Sequence, residues 1–196
     1  MTDKKPDHNN DFRPERLDVA GLALVNGRLQ GSDLLQKYKR LMQETSGDRV
    51  DLGSKIKVEW QAQGDQGVQV EGSGATPQGW LHLQAKTHLP QVCQRCLADV
   101  DLALEVDRSY RFVVDEATAE AQDDESEEDV LALSREFNLM ELIEDELLMA
   151  LPLVPRHEVC PVQPKMAVSD DDFESTSGDK PNPFAVLGSL KVKKSD

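Results

Sequence analysis

The sequence predicts an α+β domain, in which a mostly antiparallel twisted sheet or partly closed barrel packs against two main helices, with disordered acidic segments. Three observations predict it. From about residue 50 to residue 114 apolar residues recur at every second position, the period of half-buried strands. Two other runs, one after Ser32 and one after Asn138, place apolar residues three and four apart, the period of a helix. The alternating runs are joined by short Gly-rich pieces rather than crossovers, which favours antiparallel pairing.

The first element follows Ser32, an N-cap residue type. Leu34, Leu35, Tyr38, Leu41 and Met42 then recur at helical spacing and Gly47 closes the run. Next, Ile56, Val58 and Trp60 alternate with Lys55, Lys57 and Glu59. Gly64-Asp65-Gln66-Gly67 reads as a turn before Val68 and Val70, and Gly72–Gly79 as a looser one. Leu81, Leu83, Ala85, Thr87 and Leu89 share one face of a further strand. Val100, Leu102, Leu104 and Val106, then Tyr110, Phe112 and Val114, keep one parity along a long ribbon. Asp115–Asp129 holds nine acidic residues and no aromatic, and reads as a solvated loop. The second main helix starts at Asn138, with Glu141 three residues on in a capping-box arrangement. It buries a wide apolar stripe, keeps its acidic side in solvent, and ends at Pro152 and Pro155.

These elements divide the chain into a polar tail over 1–14, a single domain over 15–160 containing the acidic loop 115–130, and an extended acidic segment over 161–196. Pro183–Lys191 is apolar enough for a short docking helix.

Composition narrows the function. The chain has 196 residues, 38 % of them hydrophobic and 5 % aromatic, and a formal net charge of -15. Such a surface repels bare phosphate, so any nucleic-acid contact needs a local basic patch or a basic protein as intermediary. No apolar stretch is long enough to span a bilayer, and the opening residues lack a signal-peptide core. Together with only three cysteines, this points to a cytoplasmic protein with no disulfide framework and no membrane association.

All three cysteines fall in two short pieces, Cys93-Gln94-Arg95-Cys96 and His157-Glu158-Val159-Cys160. Thiolate and imidazole in fours suit a tetrahedral zinc ion, and a two-residue gap lets one turn present two ligands. Cys93 and Cys96 can face one metal only if the chain turns between them, since an odd offset in a strand puts side chains on opposite faces. Four protein ligands would leave no position for water, so such a zinc would be structural. Two other readings stand beside it: buried cysteines acting as small hydrophobes with a solvated His157, or a redox dithiol, although thioredoxin-like motifs open a helix and this one precedes a strand. His82 and His88 lie opposite the apolar face and should be exposed. No phosphate loop, nucleophile elbow or metalloprotease motif is present, so no catalytic residue is assigned and the chain is not read as an enzyme.

Three stretches together resemble the YceD family, the bacterial large ribosomal RNA subunit accumulation proteins: Cys93–Leu97 with the ribbon to Phe112, Glu141–His157, and Lys180–Leu190. The resemblance implies a ribosome-biogenesis factor that promotes synthesis, processing or stability of large-subunit (23S) ribosomal RNA without catalysis. Its partner would be the RNA precursor or a pre-ribosomal particle, reached directly or through a ribosomal protein. Some relatives carry more cysteines after the second helix; here that set is His157 and Cys160. Lys86, Arg95, Arg108 and Arg111, in or beside the ribbon, are the candidates for phosphate contact. The alternative is an acidic escort for a basic large-subunit ribosomal protein, with 115–129 as its capture element.

Overall fold

The computed structural model describes residues 12–45, 53–71, 74–124, 126, 128–134, 136–162 and 184. Residues 12–162 belong to one compact unit, while Gln163–Asp196 form a second of which only the exposed Phe184 is described. Most of the N-terminal tail and the docking helix expected at 183–191 therefore lie outside the described residues.

The long alternating runs become strands, as their period requires. β1 (Arg28–Leu34), β2 (Lys57–Glu71), β3 (Gly74–Val92), β4 (Asp99–Val113) and β5 (Asp129–Ala132) form one sheet in that order. Neighbours from β1 to β4 are antiparallel, and β5 lies parallel to the end of β4. The fold is α+β, and its sheet is open: among the described residues β1 and β5 are its edges. Among the described residues four α-helices accompany it: α1 (Val19–Leu24), α2 (Lys39–Gln43), α3 (Glu116–Asp123) and α4 (Leu139–Met149).

One sheet face carries the core. Val58, Trp60 and Ala62 from β2, Leu81, Leu83, Ala85 and Leu89 from β3, and Leu104, Val106, Tyr110 and Phe112 from β4 are all buried. Leu22, Tyr38, Leu41, Leu139, Ile143 and Leu147 cover them from the helical side. Phe112 meets Phe137 edge-on, with centroids 5.2 Å apart, the geometry that aromatic quadrupoles prefer. Phe12 packs against this core and Pro14 accepts from Leu139 N at 2.9 Å, so residues 12–14 join the domain rather than the tail.

α4 starts as its sequence dictates: the Asn138 side chain accepts from the N–H groups of Met140 and Glu141. Its acidic side differs from expectation. Glu141 and Asp145 are exposed, but Glu144 and Glu146 are buried. Glu144 Oε1 accepts from Arg40 N at 2.7 Å and Leu41 N at 3.2 Å, closing the open N–H groups at the start of α2. Glu146 lies 3.2 Å from Arg108 Nε, beside Tyr110. Burial, then Glu146, raises the Tyr110 phenol far above its ordinary range.

The helix expected after Ser32 is a further correction. Ser32 lies in β1 opposite Glu59, and helical backbone begins only at a 3-10 turn, Leu35–Lys37, followed by α2. The reason is Trp60: its indole covers Gly31, where a Cβ would stand 2.5 Å from the ring, and its Nε1 donates to Asp33 at 2.8 Å. That cross-strand seat outweighs a local capping preference. Leu35, Tyr38 and Leu41 still bury the same face.

Gly64 and Gly67 sit inside β2 and not in a turn. A Cβ on Gly64 would lie 2.8 Å from Ala23 N and the Leu22 carbonyl carbon; the glycine is there to let α1 approach the sheet backbone. Gly64→Ala is therefore expected to destabilise the domain by about 1–3 kcal/mol in urea unfolding, because the obstacle is backbone that cannot turn aside. Finally, the acidic stretch folds. Asp115 caps α3 by accepting from Thr118 N at 2.8 Å, and Ala119 packs with Val113 and Val130 in a second small cluster. Local charge favoured a loop, but the cap, the alanines and a buried contact favour a helix whose acids still face water.

Candidate metal centre

β3 ends at Val92 and β4 begins at Asp99, so the connection between them holds Cys93 and Cys96. The chain does turn there. Leu97 N donates to Cys93 O at 2.9 Å and Cys93 N to Ala98 O at 2.9 Å. Leu97 takes a left-handed φ of 59° with its side chain exposed, which swings Cys96 round to the side of Cys93.

The second pair arrives from α4. The helix stops at Ala150, and past Pro152 the chain returns to the hairpin: Gln94 N donates to Pro155 O at 2.8 Å. His157 N then points at Cys93 Sγ, 3.4 Å away. Cys96 Sγ lies 3.5 Å from His157 Nδ1, and Cys93 Sγ lies 4.0 Å from Cys160 Sγ. One ligand atom from each of Cys93, Cys96, His157 and Cys160 falls within 4.8 Å of all the others. A tetrahedron with metal–sulfur bonds of about 2.3 Å and a metal–nitrogen bond of about 2.0 Å has edges of roughly 3.5–3.8 Å. The four residues could hold a metal ion.

The tautomer of His157 agrees. Its Nε2 lies 2.9 Å from Asp99 O, and a carbonyl only accepts, so Nε2 carries the proton. In the neutral ring the Nδ1 lone pair is then free and aimed at the sulfurs, held by the kind of outer hydrogen bond that orients ligating histidines. Cys93 is fully buried, and Cys96, His157 and Cys160 partly so. Burial pushes the Cys93 thiol up, but the N–H groups of Cys96, His157 and Arg95 around its sulfur more than offset this and hold it at about 5. The Cys160 thiol moves up, through burial and then the neighbouring sulfurs. The direction of the Cys93 shift favours the thiolate, the form of cysteine that binds a metal.

The candidate phosphate contacts do not assemble into one patch. Lys86 pairs with Glu59 at 3.1 Å, and Arg108 with Asp129 at 3.1 Å and Glu146 at 3.2 Å. Arg111 is 7 % exposed and donates to Gln122 and Ser126, both at 2.9 Å, fastening α3 to the sheet. Lys86, Arg95 and Arg108 are all exposed, but of the three only Arg95, on the Cys93–Cys96 turn, makes no ion pair among the described residues. Sequence reasoning missed its counterpart: Arg156 is likewise exposed and unpaired among the described residues. Each arginine immediately precedes a candidate ligand, Cys96 or His157, and the Gln94–Pro155 hydrogen bond joins their two segments. That equivalence of position was the available signal.

Elsewhere, His82 Nδ1 lies 3.0 Å from Ser109 Oγ and its Nε2 3.2 Å from Asp107 Oδ1. The order of contacts is that of a hydrolytic triad, but the Asp107 side chain is 65 % exposed on the open sheet face. A solvated carboxylate orients an imidazole weakly. A hollow of 640 Å³ on the sheet, bordered by Gln30, Ser32, Glu59, Lys86 and Asp107, includes neither His82 nor Ser109.

Residues 81–191, which contain the whole Cys/His set, match the family model described as "Large ribosomal RNA subunit accumulation protein YceD". A curated protein of that name from Haemophilus influenzae is 38 % identical over 103 residues, 52 % of this chain and 59 % of the relative. The chain thus spans about three fifths of that relative's length. No solved structure matches.

Proposed function

Because the chain belongs to the YceD family of large ribosomal RNA subunit accumulation proteins, we propose that it promotes synthesis, processing or stability of the large-subunit (23S) RNA as a non-catalytic assembly factor built around a structural zinc. The observation that supports the zinc is the gathering of one ligand atom from each of Cys93, Cys96, His157 and Cys160 within 4.8 Å of one another. Cys93, Cys96, His157 and Cys160 would hold the zinc with four protein ligands, which would clasp the loop after α4 to the β3–β4 hairpin and leave no coordination position for a water. The site of action is the cytoplasm, and the partner is the RNA precursor or a pre-ribosomal particle. No helix among the described residues is long and apolar enough to cross a membrane.

Arg95 carries the direct-contact reading, joined by Arg156. Lys86 and Arg108 would first have to leave their ion pairs, and Arg111 is occupied inside the fold. The double change Arg95→Ala plus Arg156→Ala is expected to weaken binding to a large-subunit RNA fragment about tenfold and to flatten the salt dependence by about two phosphate contacts. Unchanged affinity and slope would take direct contact away from the clasp. In cells lacking the chain, large-subunit RNA is expected to fall relative to small-subunit RNA, with wild type restoring it and Cys93→Ser failing to. A normal ratio without the chain contradicts the functional reading itself.

A second reading, the escort of a basic ribosomal protein, draws on α3, a fastened helix that keeps Glu116, Glu120 and Asp123 exposed. Capture of basic ribosomal proteins that survives ribonuclease treatment favours the escort; capture lost with the RNA favours direct contact.

A further inference from the structure

β4 has an open side. β3 pairs with it from Asp99 to Phe112, whereas β5 joins its other side only from Tyr110 to Val113. Between Val100 and Asp107 no strand or loop among the described residues bonds to that outer side. Its limits are set by His157 at the Asp99 carbonyl and by Arg108 on Asp129 and Glu146. A bare sheet edge offers main-chain donors and acceptors that an extended chain can take up.

The side chains along this edge choose among occupants. Those alternating outward from the core are Asp99, Asp101, Ala103, Glu105 and Asp107, all exposed. Asp101 meets His88 at 3.3 Å, Asp107 meets His82 and the Gln84 amide, and Glu105 makes no ion pair among the described residues. A second copy added antiparallel would set carboxylates against carboxylates, which opposes self-pairing. Nucleic acid is repelled by the same row. A strand with lysine or arginine at every second position meets the opposite condition: its cations fall beside Asp101, Glu105 and Asp107, with Ala103 between them, while the main chain extends the ladder.

We propose that the outer edge of β4, from Val100 to Asp107, takes an extended lysine- or arginine-rich protein segment by strand addition, its alternating cations set against Asp101, Glu105 and Asp107. The proposal borrows its partner class from the escort reading and assigns it a surface away from α3.

The test is fluorescence anisotropy of a labelled peptide of alternating lysine and valine against the full-length protein. Two further peptides carry backbone N-methyl groups on the lysines or on the valines, which keeps every charge. One of these phases turns its methyl groups to the edge, and is expected to bind about tenfold or more weakly than the parent peptide. Asp101→Lys with Glu105→Lys and Asp107→Lys is expected to weaken the parent peptide about tenfold, whereas Glu116→Lys with Glu120→Lys and Asp123→Lys on α3 leaves it within about twofold. Equal binding of all three peptides to the wild-type protein overturns the proposal whatever the variants do, because bulk charge then suffices. So does an equal loss from the α3 reversal, or a concentration-dependent dimer abolished by the β4 reversal. Capture of basic ribosomal proteins that persists in the β4 variant leaves the escort reading standing and removes this edge from it.

Discussion

Replacing Cys93 with serine is expected to abolish metal binding, to release residues 153–162 from the sheet, and to destabilise the domain by about 3 kcal/mol or more. The side chain is fully buried, its sulfur is approached by His157 N, and the other three candidate ligands lie within 4.8 Å of it and of one another. With an ion bound, removing one ligand forfeits binding energy that is also folding energy. Amides of Gln94 and His157 should then exchange with solvent about a hundredfold faster, since their partners on the opposite loop depart. Two controls separate this from a cysteine that merely fills space. Cys160→Ser removes a partly exposed group and should be nearly neutral in a metal-free core, yet match Cys93→Ser if both ligate one ion. A chelator should likewise lower the melting temperature of the wild type and leave Cys93→Ser unmoved. If Cys160→Ser and the chelator are both silent, the packing account of Cys93 stands alone.

Glu144→Ala should be the most damaging change away from the clasp, at about 3 kcal/mol in denaturant unfolding. The carboxylate is the seam between α2 and α4, accepting from Arg40 N and Leu41 N and lying 3.2 Å from Arg40 Nε. Most of the loss comes from the two orphaned backbone donors, because the Arg40 guanidinium is half exposed and its ion pair is screened. Glu144→Gln keeps an acceptor in place and should lose only about half as much. A loss below about 1 kcal/mol for Glu144→Ala would mean that water can replace the carboxylate at the start of α2.

What could be read from the sequence was local. The alternation of Val100, Leu102, Leu104 and Val106 is a property of one strand, and Asn138 caps its own helix, so neither needed knowledge of the rest of the fold. The two-residue gaps of Cys93–Cys96 and His157–Cys160 are equally local. That Pro155 returns its carbonyl to Gln94 is not, because it depends on where α4 docks. Distance explains the misreadings too. Ser32 has a helix-capping side chain, but the indole that holds β1 extended comes from Trp60. Gly64 is indistinguishable from a turn glycine until α1 lies against it. Glu144 and Glu146 read as solvent-facing since their partners, Arg40 and Arg108, come from α2 and β4. Asp115–Asp129 differs: its charge is legible in its composition, while the Asp115 cap and the small apolar contact of Ala119 that fold α3 are not.

The most direct test is X-ray absorption at the zinc edge on natively purified protein, paired with native mass spectrometry. The account predicts one zinc ion per chain with three sulfur neighbours at about 2.3 Å and one nitrogen at about 2.0 Å, lost on Cys93→Ser. A chain that carries no zinc, or zinc bound through oxygen and water and retained by Cys93→Ser, would contradict it.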